Sequence, residues 1–181
     1  MLSKVCERLS HRRFVDSLNR SGKISKFQSG NCELHSTETA LLQFTDNILK
    51  NRDEKKISFI VLLDMSKAFD TIQHERLLMK LHKIGVSTTA WTWFKSYLTK
   101  RSQFVRIEDP ISDPLPLTFG IPQGSILGPV LFTVYFNDLL SIPKHCKSSS
   151  YVDDAKVFLS DRKSTRLNSS HSDRSRMPSS A

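Results

Sequence analysis

Ile57 to Leu63 is a near-continuous apolar run that stops abruptly at Asp64. Seven residues are too few for a stable helix of their own. The lack of polar alternation matches a strand covered on both faces, so layers of other elements must pack against this segment, and its last apolar residue delivers a carboxylate to the sheet edge. Helical spacing supplies the layers. Ser36 is placed to cap a helix running to about Lys50, with Leu41, Leu42, Phe44, Ile48 and Leu49 on one face. A second helix from about His74 to Ile84 turns Leu77, Leu78, Leu81 and Ile84 inward and stops at Gly85. A third starts at Ser87 or Thr88 and spaces Trp91, Phe94, Tyr97 and Leu98 for burial. Ser102 to Glu108 and Leu115 to Ile121 read as a hairpin through a Pro-rich turn. A long apolar helix from about Ser125 to Leu140 tolerates Pro129 in its first turn. Ser149 to Val152 and Ala155 to Ser160 flank Asp153 and Asp154 as a short hairpin. The fold class is α/β (α+β), one mixed unit.

Charge is unevenly placed. The chain of 181 residues carries a formal net charge of +9, and Arg162 to Ala181 alone contributes +4, with seven Ser and two sizeable apolar side chains. That segment cannot build a core and reads as a disordered or foreign basic Ser/Arg tail. Cationic residues also gather at Lys4 to Lys26 and Lys95 to Arg106, either as phosphate-neutralising surfaces or as ordinary solvated helix faces. Cys6, Cys32 and Cys146 form no CxxC pair and no even set, which excludes a disulfide framework or zinc knuckle and fits a reducing intracellular setting. The longest near-apolar run, Ile126 to Phe136, is interrupted by Gly128 and Pro129 and falls short of the roughly 20 residues a membrane-spanning helix needs.

Asp64 at the end of one strand and Asp153 and Asp154 between two others are positioned to converge on one sheet edge. Converging carboxylates repel and raise one another's pKa, whereas a divalent magnesium ion, which takes hard oxygen ligands, neutralises them. Two such ions about 3.5 to 4 Å apart can activate an attacking hydroxyl and stabilise a leaving pyrophosphate. Taken alone, an Asp-Asp pair is also common turn chemistry, and Asp64 alone is also a strand terminator or helix cap.

Three segments occur in order: Phe59-Ile60-Val61-Leu62-Leu63-Asp64-Met65-Ser66-Lys67-Ala68-Phe69-Asp70, then Gly120-Ile121-Pro122-Gln123-Gly124-Ser125, then Tyr151-Val152-Asp153-Asp154. From roughly Ser3 to Ser160 the sequence resembles the reverse transcriptase domain of non-LTR (LINE-type) retrotransposons, and these segments match that family's motifs A, B and C. Gln28-Ser29-Gly30 and His35 to Leu41 look like its fingers region, and Trp93 to Leu98 resembles its segment between motifs A and B.

The resemblance implies a right-hand polymerase fold with partial fingers (1-56), a palm (57-160) and no thumb, followed by the tail (161-181), as in a chain truncated after motif C. It implies Asp64, Asp153 and Asp154 as catalytic, metal-binding carboxylates holding two Mg2+ ions. Phe69 matches the aromatic under the incoming sugar, where a flat ring leaves no room for a ribose 2′-OH. Gln123 and Gly124 match the loop beside the nascent pair, and Tyr151 the support of the primer end. Asp70 lies outside the metal triad and is assigned a structural part, holding the following helix. The implied activity is RNA-directed DNA polymerisation onto a primer 3′-OH. Its partners are an RNA template, a DNA primer and deoxynucleoside triphosphates, in the nucleus and/or cytoplasm, with no membrane. One departure stands out. The family typically reads Gly-Phe-Arg where this chain has Gly30-Asn31-Cys32, and a cysteine cannot supply the planar fork with which arginine grips phosphate. A catalytically inactive remnant, at most binding nucleic acid, is the alternative, and an intron-encoded or prokaryotic relative is a further one. Loss of the elements that cover a palm is expected to expose the apolar face of the Ser125 helix.

Overall fold

The computed structural model describes residues 2–30 and 36–162. The departure at Asn31-Cys32 and the basic segment from 163 onward lie outside the described residues. Among the described residues, five α-helices, a short 3-10 turn and five strands follow in order: α1 (Leu2–Ser21), α2 (Thr37–Asp53), β1 (Lys56–Leu63), α3 (His74–Lys83), α4 (Thr88–Leu98), β2 (Arg101–Gln103), β3 (Leu115–Leu117), α5 (Gly128–Phe136), the 3-10 turn Leu139–Ser141, β4 (Lys147–Tyr151) and β5 (Asp154–Arg162). β1, β5 and β4 form an antiparallel sheet with β5 at its centre, and β2 pairs with β3.

The helix starts are those the caps dictate. Ser36 accepts from Thr39 N while Thr39 Oγ1 accepts from Ser36 N, a reciprocal box that satisfies two orphan donors. Ser87 Oγ accepts from Ala90 N at the head of α4. α3 gives way at Ile84 to Gly85, whose φ of +86° is the left-handed geometry glycine adopts without penalty.

α5 is the centre of the core. Its sequence, GPVLFTVYF, is apolar on every side, so it is stable only when surrounded. Leu131, Phe132 and Leu127 just before it are fully buried, and Ile72, Leu77, Leu81 and Leu98 close around them. The expectation of an exposed Ser125-helix face is thus overturned: seven of the nine α5 residues are buried. The helix is also shorter than Ser125 to Leu140, because the chain tightens into the 3-10 turn after Asn137.

The expectation that β1 is covered on both faces fails in the same way. Phe59 to Leu63 are all exposed, Leu62 to 69%. β1 is an edge strand with α2 packed against it, while Ser148 and Ser150 of β4 and Ala155 of β5 are the sheet residues that are buried. α2 likewise buries no residue fully, with Leu41 and Leu42 in solvent. The β2–β3 hairpin forms in the expected place but pairs only three residues on each side. β5 continues to Arg162, two residues past the expected palm boundary. α1 was not legible as a helix, because charge dominates it. Its one signal is Phe14 and Leu18, four residues apart and both buried.

Two outcomes test this packing. Leu131→Ala is expected to cost about 2–5 kcal/mol by urea unfolding, and Leu41→Ala less than about 0.5 kcal/mol; equal effects would contradict a core centred on α5. Burial holds the Tyr97 phenol above its ordinary value of 10.0. Its contribution to stability is therefore complete below about pH 10 and lost as pH rises from there, where the unfolded chain ionises first. Melting temperatures between pH 9 and 11 should fall less steeply in Tyr97→Phe than in the parent.

Candidate active site

The β1–β5 ladder runs in register from Lys56 opposite Arg162 to Leu63 opposite Ala155. Carried one residue further, the same register sets Asp64 opposite Asp154. β4 pairs with β5 up to Tyr151 opposite Asp154, which leaves Val152 and Asp153 as a two-residue turn. The three acids therefore share one tip of the sheet. Asp64 and Asp154 face solvent and Asp153 is half-buried. Asp154 is the first residue of β5 rather than part of the turn.

The turn itself is strained. Val152 has φ +57°, a region costly for a β-branched residue and normally filled by glycine in tight hairpins. Surrounding contacts hold it there. Gln28 Oε1 accepts from both Gly30 N (2.9 Å) and Val152 N (3.3 Å). Ser29 N donates to Ser150 O (2.9 Å), and Ser150 N to Phe27 O (2.8 Å). Gly30 lies so close that a Cβ there would stand 2.4 Å from Val152 N. The segment 27–30 thus runs along the edge of β4 beside the motif C hairpin, bridged in parallel through Gln28 and Ser150, and this close approach explains Gly30 better than backbone freedom does.

The other candidate residues gather on a neighbouring surface. Phe69 is half-buried with its ring centroid 4.7 Å from that of Phe132 in α5. Asp70 does not cap α3; its Oδ1 accepts from Gln123 Nε2 at 3.3 Å. Gly120 N donates to Ile72 O (2.8 Å), Ile121 N donates to Phe69 O (3.0 Å), and His74 Nε2 meets Gly120 O at 2.7 Å. Residues 69–74 and 120–123 are stitched together by these bonds. Gly120, at φ +82°, has Asp70 O 3.0 Å from where a Cβ would stand. Gln123 and Asp70 line a cleft of about 500 Å³ with His74, Arg101 and Gln103 that does not include the three acids. α1 also reaches the loop: Lys4 Nζ donates to Gly124 O (2.5 Å), and Glu7 Oε2 accepts from Ile126 N (2.8 Å).

A family model described as reverse transcriptase (RNA-dependent DNA polymerase) matches residues 1–174. The chain belongs to the reverse transcriptase family. It is 32% identical over 166 residues to a probable RNA-directed DNA polymerase from transposon BS of Drosophila melanogaster, covering 88% of this chain and 18% of that protein. It is 30% identical over 158 residues to the RNA-directed DNA polymerase from mobile element jockey of the same organism, covering 87% and 17%. The R2 retrotransposon polyprotein of Popillia japonica is 26% identical over 141 residues, covering 77% and 20%. The chain thus spans about a fifth of the length of these relatives, all of them proteins of non-LTR elements. Among solved structures, telomerase from Candida tropicalis superposes with a TM-score of 0.61 at 14% identity, over 86% of this chain and 34% of that one. Candida albicans telomerase gives 0.58 at 13% identity, over 93% and 31%. These show a partial polymerase fold.

The donor chemistry at the tip suits a hard divalent cation. Magnesium is usually held by one or two carboxylates with substrate phosphates supplying other ligands, and Asp64 and Asp154, which the ladder register carries toward one tip, are carboxylates of the kind such a site would use. Among the described residues, no group of three or more His, Cys, Asp or Glu stands close enough to hold a metal by itself. No described helix is long and apolar enough to cross a membrane.

Gly30→Ala tests the layering of segment 27–30 on the hairpin. Overpacking against the Val152 backbone should destabilise the fold by about 1–3 kcal/mol in thermal or urea unfolding; an unchanged melting temperature would show that the two segments do not touch.

Proposed function

We propose that this chain carries the catalytic palm of an RNA-directed DNA polymerase. The observation that bears most weight is the β1–β5 register, which, carried one residue past the Leu63–Ala155 pair, would set Asp64 opposite Asp154. In this reading Asp64, Asp153 and Asp154 hold two magnesium ions. The bound ions supply Lewis-acid stabilisation of charge during in-line displacement. The protein positions the participants. A primer 3′-OH attacks the α-phosphate of a deoxynucleoside triphosphate, the new phosphodiester forms, and pyrophosphate leaves. Tyr151, half-buried on the same sheet face as Asp154, supports the primer end. Phe69, braced by Phe132, closes the space beneath the sugar C2′. Gln123 and Gly124 present the motif B loop to the nascent pair, with Asp70 as the anchor of Gln123. RNA template and DNA primer are held through sugar and phosphate, and sequence is set by base pairing. Residues 1-56 act as fingers and 57-160 as palm, and the setting is nuclear and/or cytoplasmic.

A second reading is a nucleic-acid-binding protein without catalysis, favoured by the lack of a three-carboxylate cluster among the described residues.

Primer extension on an RNA template separates the two. Magnesium-dependent incorporation is expected, lost on chelation and reduced at least about a hundredfold by Asp64→Asn or Asp153→Asn, since such ions supply several kcal/mol. Template binding without any incorporation would favour the second reading. In an active preparation, Phe69→Ala should raise ribonucleotide incorporation relative to deoxynucleotide; an unaltered ratio would leave Phe69 as core packing only.

A further inference from the structure

α1 is attached to the rest of the molecule in two places and in two different ways. Its C-terminal half is held by the core, where Phe14 and Leu18 are buried and Phe14 meets Phe94 of α4 with ring centroids 4.9 Å apart. Its first two turns bury no apolar side chain, and Leu2, Val5 and Leu9 all face solvent. Polar groups join that end to the molecule. Glu7 Oε2 accepts from Ile126 N at 2.8 Å, and Lys4 Nζ donates to Gly124 O at 2.5 Å while standing 3.8 Å from the same Glu7 oxygen. Beside these contacts lies a cleft of about 370 Å³, walled by α1, by Trp93 and Tyr97 of α4, and by Pro122 and Gln123 of the loop.

The segment that α1 grips is the one that carries Gln123. On its near side, Gly120 and Ile121 are bonded to Ile72, His74 and Phe69, and the Gln123 amide to Asp70. Beyond Gln123 the chain turns through Gly124 at φ +71° and enters α5, whose N-cap residue, Leu127, has no side-chain acceptor to offer. Ser125 Oγ accepts from Gly128 N at 2.8 Å and satisfies one donor at that helix start. Ile126 N is satisfied by Glu7, 119 residues away. The Glu7 side chain is only 13% exposed, and a carboxylate acceptor makes a shorter and stronger hydrogen bond than a neutral oxygen does. Its negative charge also suits the positive end of α5. One carbonyl and one amide, two residues apart and both bonded to α1, fix the orientation of the backbone between Gln123 and α5 as well as its position.

We propose that Glu7 is a positioning residue, which holds the motif B loop from its far side so that Gln123 keeps the posture in which it meets an incoming deoxynucleotide. The nucleotide part of this assignment rests on the polymerase reading above. Glu7 acts through the Ile126 amide, with Lys4 as the second point of the clamp. Asp70 anchors the Gln123 side chain, whereas Glu7 anchors the backbone that follows it. Because Phe14 and Leu18 hold the other half of α1, loss of Glu7 releases the loop without detaching the helix.

Hydrogen–deuterium exchange and steady-state primer extension on the full chain test the clamp together. Glu7→Ala should speed amide exchange at least about tenfold in peptides spanning 122–127 and leave those of α3 unchanged. It should raise KM for the deoxynucleotide at least about fivefold with kcat altered less than about twofold, the split expected when a binding contact is lost and the chemistry is kept. Glu7→Gln retains an oxygen that accepts from Ile126 N and should return both quantities to within about twofold of wild type. Phe14→Leu, at the other attachment, should lower the melting temperature without moving KM or loop exchange. Wild-type exchange and KM in Glu7→Ala, or an equal rise of KM in Phe14→Leu, would overturn the assignment. Faster loop exchange in Glu7→Ala, rescued by Glu7→Gln, in a protein that never extends a primer would leave the clamp standing and remove the polymerase reading instead.

Discussion

The antiparallel register between β1 and β5 is the constraint on which the rest of the molecule depends. A slip of one residue would turn every side chain of β1 to the opposite face and move Asp64 away from Asp154. The register is set at the far end by α2, whose Asn51 Nδ2 donates to Ser58 Oγ at 3.0 Å, and on the other side of β5 by β4. β4 is itself fixed by the backbone bonds of Phe27 and Ser29 to Ser150. The helix directly before β1 and the segment 27–30, distant in sequence from β4, thus hold the strands that carry the acids. Neither contributes a carboxylate.

The geometry separates the work of the two sheet faces. One face is buried, with the small residues Ser148, Ser150 and Ala155 turned into the interior. Ser148 Oγ donates to Leu140 O at 2.5 Å, tying β4 to the 3-10 turn after α5. The other face carries Asp154 at the tip and Lys156 and Lys147 behind it. The first face supplies the core, and the candidate site lies on the second. The strain at Val152 lies where the two roles meet, held by the Gln28 amide oxygen and by the absence of a side chain at Gly30.

Much of this was legible in the residues. The helices α2, α3 and α4 began where Ser36, His74 and Ser87 indicated, and the motif C hairpin formed with its turn one residue earlier than expected, at Val152 and Asp153. What misled was apolarity read without knowledge of neighbours. Ile57 to Leu63 has the composition of a doubly covered strand yet stands at a sheet edge, because periodicity reports what a segment can bury and not which partner arrives. α5 was misread in the opposite sense, since its uniform apolarity is the signature of the element that everything else surrounds. The links from Asp70 to Gln123 and from Gln28 to Val152 span 53 and 124 residues. No local pattern encodes contacts of that range, although the glycines at 30 and 120 marked the places where two backbones come together.

The most direct test of the shared tip is a crystal structure of the chain grown with Mn2+ as a stand-in for magnesium, read by anomalous scattering. An anomalous peak is predicted at the end of the β1–β5 ladder, in direct contact with carboxylate oxygens of both Asp64 and Asp154 at about 2.0–2.3 Å. Manganese bound elsewhere, with those two side chains in separate environments and the ladder in a different register, would contradict the account at its base.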